Sequence, residues 1–416
     1  MRILFSLFMF MCFSFNAYAQ EAEVTFIRTL SKHELNKVLG EDRLKFLPET
    51  AKSYVFPKIF KAKYDVDIYK VTYPSVIPDL NRKSTMASGL IAIPKVDNAI
   101  SLPFISYQHG TVYGKYEVPS YSFMGNNPSD YLYEGAYETR LMVAQYAAQG
   151  YVVMAADYFG MGDSPEPEAF MVKHSVQQAC ADLYDVAVHF LAKNGIQQKN
   201  LFLAGWSEGG WATTALLQKL ENRGTAIKAV FTASSPSDLF AAMNGWAYNP
   251  RKIDAVWENT ILALMVFSYE NYYAKPGFAS EVINPKYYEL FRKLYQRDYK
   301  DSAEMEQVKK LLESAEPFKD YLSHDYADSG YLADSEFGKL LQQNESYRQI
   351  FKTPVKMYYG THDEVIAVPV GKLASIYQKS LGSKSISAIS VEGGNHRGTF
   401  LSAVSESKKW FDELSK

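Results

Sequence analysis

The chain has 416 residues, of which 47% are hydrophobic, enough for one large domain or for a domain with a substantial insertion. This composition excludes global disorder. The formal net charge of -2 argues against the strongly basic surface with which proteins bind nucleic acid.

Residues 1–19 have the features of a secretion signal peptide. Arg2 precedes an apolar run over residues 3–15, and the segment ends in Ala17–Ala19, the small-x-small pattern that signal peptidase reads. The run is too short to span a membrane, and no other stretch is long and apolar enough to do so. We therefore expect cleavage near Ala19, export to the periplasm or the extracellular medium, and no integral membrane anchor.

The chain then alternates between strand-like and helix-like segments. An N-terminal arm over residues 20–65 includes a helix, because Ser31 and Glu34 have the spacing of a capping box. The predicted strands that follow are 66–73, 87–93, 102–107, 151–157, 200–205 and 227–233, and the predicted helices are 138–150, 177–195 and 211–224. This alternation favours a parallel sheet with helices on both faces.

The alternation stops between residues 237 and 350, where the chain is rich in Tyr and charge and has mainly helical patterns. The predicted elements after it are a strand ending at Gly360, a helix over 370–382, a strand over 385–391 and a helix over 399–414. Strands on both sides of the interruption need the same sheet. We therefore interpret 66–236 and 351–416 as one α/β core and 237–350 as an inserted helical cap, in preference to a separate tandem domain.

The stretch AGWSEGGW, residues 204–211, places Ser207 between a predicted buried strand and a helix. A serine hydroxyl is a weak nucleophile unless a base removes its proton, and it must project to where a carbonyl can reach it. Gly205 and Gly209 would let a tight strand-to-helix turn pass close to its neighbours. The pattern G-x-S-x-G is weak evidence by itself, because a glycine-rich surface loop also fits it.

Two residues downstream complete a candidate catalytic triad. Asp363 follows the carboxyl end of a predicted strand, where catalytic groups of open parallel sheets gather, although a helix N-cap or a solvated aspartate also fits. His396 follows a strand and two glycines. The order Ser207, Asp363, His396 is the one expected for this kind of hydrolase. His396 would then be the general base, and Asp363 would fix the histidine tautomer.

The developing oxyanion also needs hydrogen-bond donors. We expect one from the backbone N–H of Glu208 and a second from the loop YQHGTVYG, through Gly110 or Thr111. His109 is a rival base, but its place beside a glycine better suits shaping this loop. The Glu208 side chain could select substrates by charge beside the site. We prefer the alternative that it points into solvent.

Taken together, HGT, DYFGMGDS, GWSEGG, GTHDEVIAVP and GGNH resemble the α/β-hydrolase superfamily, and its secreted lipase and esterase branch in particular. The resemblance extends from Ile68 to the C-terminus, interrupted by the cap. It implies a doubly wound, mostly parallel sheet and a serine carboxylic-ester hydrolase that needs no cofactor. Asp157 and Gly160 resemble the superfamily's structural turn. No metal site is expected, because the spacing of His174, His189 and His324 is not that of metal ligands.

Three functions are consistent with these features. The first is an exported esterase or lipase acting on a neutral, hydrophobic small-molecule or lipid-like ester, gated by the cap. The second is a serine peptidase for short peptides, because GWSxGG also resembles the prolyl-oligopeptidase branch, although no propeller-sized region precedes the core. The third is a non-catalytic binding protein on a hydrolase scaffold, which predicts a broken triad.

Overall fold

The computed structural model describes residues 21–48, 53–98, 100–124, 136–313 and 317–416. The predicted signal peptide, residues 1–19, lies outside the described residues. Nine strands form one sheet: β1 (Glu23–Leu30), β2 (Val66–Ile77), β3 (Lys83–Pro94), β4 (Ser101–Gln108), β5 (Val152–Ala156), β6 (Gln197–Trp206), β7 (Ala229–Ala233), β8 (Val355–Gly360) and β9 (Ile386–Val391).

The strand order in the sheet is β1-β2-β3-β5-β4-β6-β7-β8-β9. The pairs β1–β2, β2–β3 and β3–β5 are antiparallel. Every further pair, from β5–β4 to β8–β9, is parallel. The predicted mostly parallel sheet is therefore confirmed, with an antiparallel edge formed by the first three strands.

Helices cover both faces of the sheet. They are α1 (Lys32–Glu41), α2 (Tyr137–Tyr146), α3 (Lys173–Lys193), α4 (Glu208–Asn222), α5 (Leu239–Tyr248), α6 (Asn259–Tyr272), α7 (Phe278–Val282), α8 (Tyr288–Gln296), α9 (Ser302–Glu313), α10 (Ser329–Asp334), α11 (Glu336–Gln343), α12 (Val368–Ser380) and α13 (His396–Leu414). Alternate residues of a strand point to opposite faces. In β5, Val152 and Met154 belong to the core cluster that includes residues of α3, α4 and α12, while Val153 and Ala155 belong to the cluster that includes residues of α1, α2 and α13.

The N-terminal arm is only partly as expected. Helix α1 begins with the predicted capping box, in which Ser31 and Glu34 each accept a backbone hydrogen bond from the other. The arm also contains β1, which the sequence pattern did not reveal. The side chains of β1 are mostly exposed or half-buried, with Leu30 alone buried, so this edge strand lacks the clear alternation of a half-buried strand.

Residues 237–350, named here the helical segment, contain α5 to α11 between β7 and β8. Its described residues contribute no strand to the sheet. Several hydrogen bonds join it to the core; for example, Trp211 of α4 donates its indole N–H to the Asn344 carbonyl at 2.8 Å, and Ser268 of α6 donates to the Glu168 carbonyl at 2.8 Å. None of the helices in the described ranges has both the length and the hydrophobicity to span a membrane.

Candidate active site

Ser207 lies at the sharp turn between β6 and α4. Its backbone has φ 57° and ψ −125°, a conformation that costs a residue with a Cβ free energy. The turn is held from both sides, because Ser207 N–H donates to the Ala233 carbonyl of β7 and the Ser207 carbonyl accepts from Gly210 N–H, each at 2.9 Å. Because these contacts hold the strained backbone, the Ser207 hydroxyl is oriented before a substrate binds.

The two glycines that flank Ser207 have no room for a side chain. A methyl group on Gly205 would collide with the Gly209 carbonyl, and one on Gly209 would collide with the Gln108 carbonyl at the end of β4. The first turn of α4 therefore lies directly against β4 and β6. This is the close approach expected from Gly205 and Gly209 in the sequence.

Three side chains distant in sequence form one chain of hydrogen bonds. His396 Nε2 lies 2.9 Å from Ser207 Oγ, and His396 Nδ1 lies 3.0 Å from Asp363 Oδ1 and 3.3 Å from Oδ2. All three residues are buried. With the imidazole proton on Nδ1, Asp363 accepts it and Nε2 is left as the acceptor facing the Ser207 hydroxyl.

Asp363 is held in place from several directions. Its Oδ1 accepts the backbone N–H groups of Val365 and Ile366 at 2.9 and 2.8 Å, and its own carbonyl accepts from Arg251 at 2.9 Å. Burial disfavours the ionised carboxylate, but the charge and hydrogen bond of His396 outweigh burial and lower the pKa of Asp363 below its ordinary value. Asp363 is therefore an anion that points at the imidazole, and is not a solvated loop residue.

His396 is the first residue of α13, and the residues around it fix its ring. Its backbone N–H donates to Glu364 Oε2 at 2.9 Å, and its carbonyl accepts the Trp206 indole N–H at 3.0 Å. The Trp206 ring lies 5.0 Å from the imidazole, and the Trp257 ring lies 6.4 Å away on the helical segment. The sequence analysis missed both tryptophans, although Trp206 directly precedes the candidate nucleophile.

The loop after β4 faces the same site. Gly110 N–H donates to Glu138 Oε1 at 2.7 Å, so this group is already engaged within the protein. Thr111 lines the cavity that contains Ser207. Of Gly110 and Thr111, Thr111 is therefore the residue that stays a candidate donor to the oxyanion. Glu208 is the first residue of α4, so its N–H is among the helix-terminal donors that have no acceptor within the helix.

His109 is held away from Ser207. Its Nδ1 lies 2.8 Å from the Gly110 carbonyl, its Nε2 lies 3.3 Å from the Asp157 carbonyl, and its ring stacks on Tyr158 at 4.3 Å. Burial lowers the pKa of His109 to about 4, so the ring is neutral near pH 7. These contacts agree with a shaping role for His109 in the loop and leave it no part as a base.

The Glu208 side chain does not point into solvent, and this expectation was wrong. The residue is 3% exposed and lines a small pocket together with His109, Tyr158 and Glu168, and it does not line the cavity of Ser207. Burial first, and then the charge of Glu168, raise its pKa well above the ordinary value, although a hydrogen bond from Thr111 opposes this. Burial therefore favours the protonated form of Glu208, and Glu208 does not line the cavity in which a substrate would meet Ser207.

The turn at Asp157 and Gly160 follows β5 and is hydrogen-bonded to β3 and to the loop after β4. Asp157 is buried and accepts hydrogen bonds from the Ser88 hydroxyl at 2.6 Å and the Ser120 N–H at 2.9 Å. Gly160 has φ 85° and leaves no space for a side chain beside Glu168. Asp157 and Gly160 therefore shape the turn. In the described ranges, no group of three or more His, Cys, Asp or Glu residues has the geometry to hold a metal ion.

A cavity of about 510 Å³ opens over Ser207 and His396. Aromatic side chains from the core and the helical segment form part of its wall, including Phe46, Tyr137, Trp206 and Trp257. Helix α9 adds Glu306 and Lys309. A second cavity of about 710 Å³ adjoins it, and Tyr113 lines both.

Solved structures with similar folds cover almost the whole chain. A Legionella pneumophila protein described as a hydrolase has a TM-score of 0.75 and 19% identity, over 95% of this chain and 98% of its own. The rice cell wall degrading esterase LipA of Xanthomonas oryzae has a TM-score of 0.71 and 18% identity, over 95% and 98%. The chain therefore has the α/β-hydrolase fold. The structure of Candida antarctica lipase A is also similar, with a TM-score of 0.61 and 16% identity over 91% of this chain and 78% of the lipase.

A sequence profile matches about a third of the chain. The profile of the serine aminopeptidase family S33 matches residues 133–259, a range that includes Ser207 but neither Asp363 nor His396. A comparison with curated proteins found no match.

The burial of Glu208 predicts a pH-dependent stability. Its pKa is higher in the folded than in the unfolded chain, so the folded protein binds more protons above pH 4.5 and wild-type stability falls as pH rises through this range. Glu208→Gln removes that loss. The difference in Tm between Glu208→Gln and wild type should therefore grow in favour of the variant from pH 5 to pH 8, measured by thermal unfolding. The same substitution at the exposed Glu41 serves as the reference for the effect of a Glu→Gln change at the surface. A difference for Glu208→Gln that stays constant or shrinks would contradict a neutral, buried Glu208.

Proposed function

We propose that this chain is an exported serine esterase that cleaves carboxylic esters through an acyl-enzyme on Ser207. The observation that carries the proposal is the hydrogen-bonded chain from Ser207 through His396 to Asp363. A serine hydroxyl, an imidazole and a buried carboxylate at these distances are the parts that acyl transfer needs.

In the first half of the reaction, Ser207 Oγ attacks the acyl carbon of the ester and His396 Nε2 takes the hydroxyl proton. Before this step Asp363 holds the neutral ring in the tautomer with its proton on Nδ1, and after it Asp363 stabilises the imidazolium that forms. When the tetrahedral intermediate collapses, the bond to the alcohol oxygen breaks. His396 then gives its proton to that oxygen, so that the alcohol leaves neutral.

The negative charge on the tetrahedral intermediate needs donors aimed at its oxygen. We assign this role to the backbone N–H groups of Glu208 and Thr111. Two features support the assignment: Glu208 N–H lies at the N-terminus of α4, where the helix dipole favours an anion, and Thr111 lines the cavity beside Ser207. The raised pKa of the Glu208 carboxyl also fits, because it disfavours a carboxylate that would repel the oxyanion.

In the second half, water attacks the acyl-enzyme. His396 removes a proton from the water, the second tetrahedral intermediate forms in the same oxyanion site, and the proton returns to Ser207 Oγ as the acid leaves. Every proton moves between His396 and an oxygen. No cofactor is needed for this sequence.

The cavity supports a small-molecule or lipid-like ester with an apolar part as substrate. Its wall combines aromatic rings with a few charged groups, a composition typical of pockets for small organic ligands. The neighbouring folds include an esterase and a lipase, which agrees with ester cleavage.

We further propose that the helical segment, residues 237–350, is a cap over the site. Its Trp257, Glu306 and Lys309 line the cavity above Ser207. The shape of the cap would then set which esters enter. Export rests on the signal-like pattern of residues 1–19 alone.

Substitution of the triad tests the mechanism. The mature protein should hydrolyse nitrophenyl esters of short to medium chain length, and a fluorophosphonate should modify Ser207, located by peptide mass spectrometry. Ser207→Ala should lose both, with a fall in kcat of roughly 10³-fold or more. Asp363→Asn, which keeps the shape but favours the wrong histidine tautomer, should lower kcat by roughly 10³- to 10⁴-fold. Folded wild-type protein that neither turns over esters nor takes the label would exclude this function and leave a non-catalytic binding protein.

A serine peptidase is the second candidate, because the profile of the serine aminopeptidase family S33 matches the chain around Ser207. Amide bonds and esters share the same acyl-enzyme chemistry but differ in the leaving group, which is poorer for an amine.

Paired substrates distinguish the two candidates. An aminoacyl nitroanilide and the nitrophenyl ester of the same amino acid, together with an apolar acyl ester of matched size, should be compared by kcat/KM. The esterase proposal expects the apolar ester to be turned over fastest and the nitroanilide to be near background. Efficient cleavage of the nitroanilide would favour the peptidase.

A further inference from the structure

Glu138 is a buried acid beside the catalytic cavity that the reaction as described does not use. It is the second residue of α2, is 6% exposed and lines the cavity that contains Ser207. Its two oxygens have different partners: Oε1 accepts Gly110 N–H at 2.7 Å, and Oε2 accepts the Tyr107 hydroxyl at 2.8 Å. A single carboxyl thus ties the loop after β4 to the strand that carries it.

Glu138 thus holds the His109–Gly110 peptide, and the next peptide, Gly110–Thr111, is held by the His109 side chain. The closer of the two imidazole contacts joins Nδ1 to the Gly110 carbonyl at 2.8 Å, so we place the ring proton on Nδ1 and let the carbonyl accept it. In a planar trans peptide the carbonyl and the following N–H point in opposite directions. Fixing the Gly110 carbonyl therefore also fixes the direction of the Thr111 N–H.

Gly110 is also pressed against the nucleophile turn. A methyl group on it would lie 3.2 Å from the Trp206 carbonyl and 3.5 Å from Glu138 Oε2. Gly110 is therefore close both to Trp206, which precedes Ser207, and to the Glu138 carboxyl. A shift of Glu138 would move Gly110 relative to Ser207.

We propose that Glu138 is a positioning residue for the oxyanion hole: its carboxyl holds Gly110 N–H so that the Thr111 N–H is aimed at the oxyanion. The inference rests on the proposed function, because it needs an oxyanion at Ser207. It assigns to Gly110 N–H a structural bond and to Thr111 N–H the catalytic one.

The role depends on the position of Oε1 and not on the charge of the carboxyl. Burial raises the pKa of Glu138 to about 7, with the bonds from Tyr107 and Gly110 opposing the rise. Oε1 accepts Gly110 N–H in both protonation states. In the neutral state Oε2 carries the proton and donates it to the Tyr107 oxygen. A glutamine reproduces that neutral arrangement, with its amide N–H₂ in place of the acid O–H.

Two substitutions separate position from charge. Glu138→Asp keeps the acid but withdraws it from Gly110 by one methylene, whereas Glu138→Gln keeps the reach and removes the acid. Glu138→Asp should lower kcat about 10²-fold with KM little changed, because a misplaced donor costs transition-state stabilisation alone. Glu138→Gln should stay within roughly 3-fold of wild type in both constants.

The affinity for a trifluoromethyl ketone provides a second readout. This inhibitor forms a hemiketal oxyanion on Ser207, so its Ki should rise for Glu138→Asp in parallel with the fall in kcat and stay near the wild-type value for Glu138→Gln. Asp79→Asn, another buried carboxyl outside the Ser207 cavity, is the matched control for stability and should leave Ki unchanged. Thermal unfolding identifies any variant that fails to fold.

The outcomes distinguish a failure of the proposed function from a failure of the role assigned to Glu138. Wild-type protein without ester turnover or Ser207 labelling would refute the proposed function itself. With an active wild type, this inference is overturned if Glu138→Asp keeps its kcat, if KM rises in place of a fall in kcat, or if Glu138→Gln is impaired as strongly as Glu138→Asp. The last result would assign the role to the charge of Glu138.

Discussion

The site depends on the backbone of Ser207, which is held at φ 57° between β6 and α4. This conformation projects the hydroxyl away from the sheet and lets α4 begin at the next residue. It persists because the neighbours prevent relaxation: β7 accepts the Ser207 N–H, and Gly205 and Gly209 let α4 press against β4. The same contact brings the end of β4, and with it the loop containing Thr111, to the nucleophile. Fold and candidate chemistry thus share one close-packed junction.

Buried acids surround this junction, and whether each one is ionised determines its electrostatic effect on an oxyanion at Ser207. Asp363 is ionised because His396 compensates its charge. Among the described residues no cation contributes to the pKa shift of Glu208, and burial raises its pKa well above the ordinary value. Glu168, its neighbour, forms an ion pair with Arg297 at 2.7 Å. The negative charge in this region is therefore placed behind the imidazole, where it stabilises the imidazolium, and is reduced near the position that we assign to the oxyanion.

Much of this arrangement could be predicted from the sequence, because it depends on local patterns. The strands of the α/β core have apolar runs, glycine ends the helices, and Ser207, Asp363 and His396 each follow a strand whose carboxyl end lies at one edge of the sheet. What escaped prediction depends on tertiary packing. β1 is an edge strand with one buried side chain, and Glu208 has the appearance of an ordinary acidic residue in the first turn of a helix. The bond of Glu138 to Gly110 joins residues 28 positions apart, with no local pattern to reveal it.

The central claim is that Ser207 is the nucleophile and that the backbone N–H groups of Glu208 and Thr111 receive the oxyanion. The most direct measurement is a crystal structure of the protein after reaction with a phosphonate ester. The account predicts a covalent bond from Ser207 Oγ to phosphorus, with the phosphonyl oxygen about 2.7–3.1 Å from both nitrogens. An adduct on another residue, or a phosphonyl oxygen directed away from both N–H groups, would contradict it.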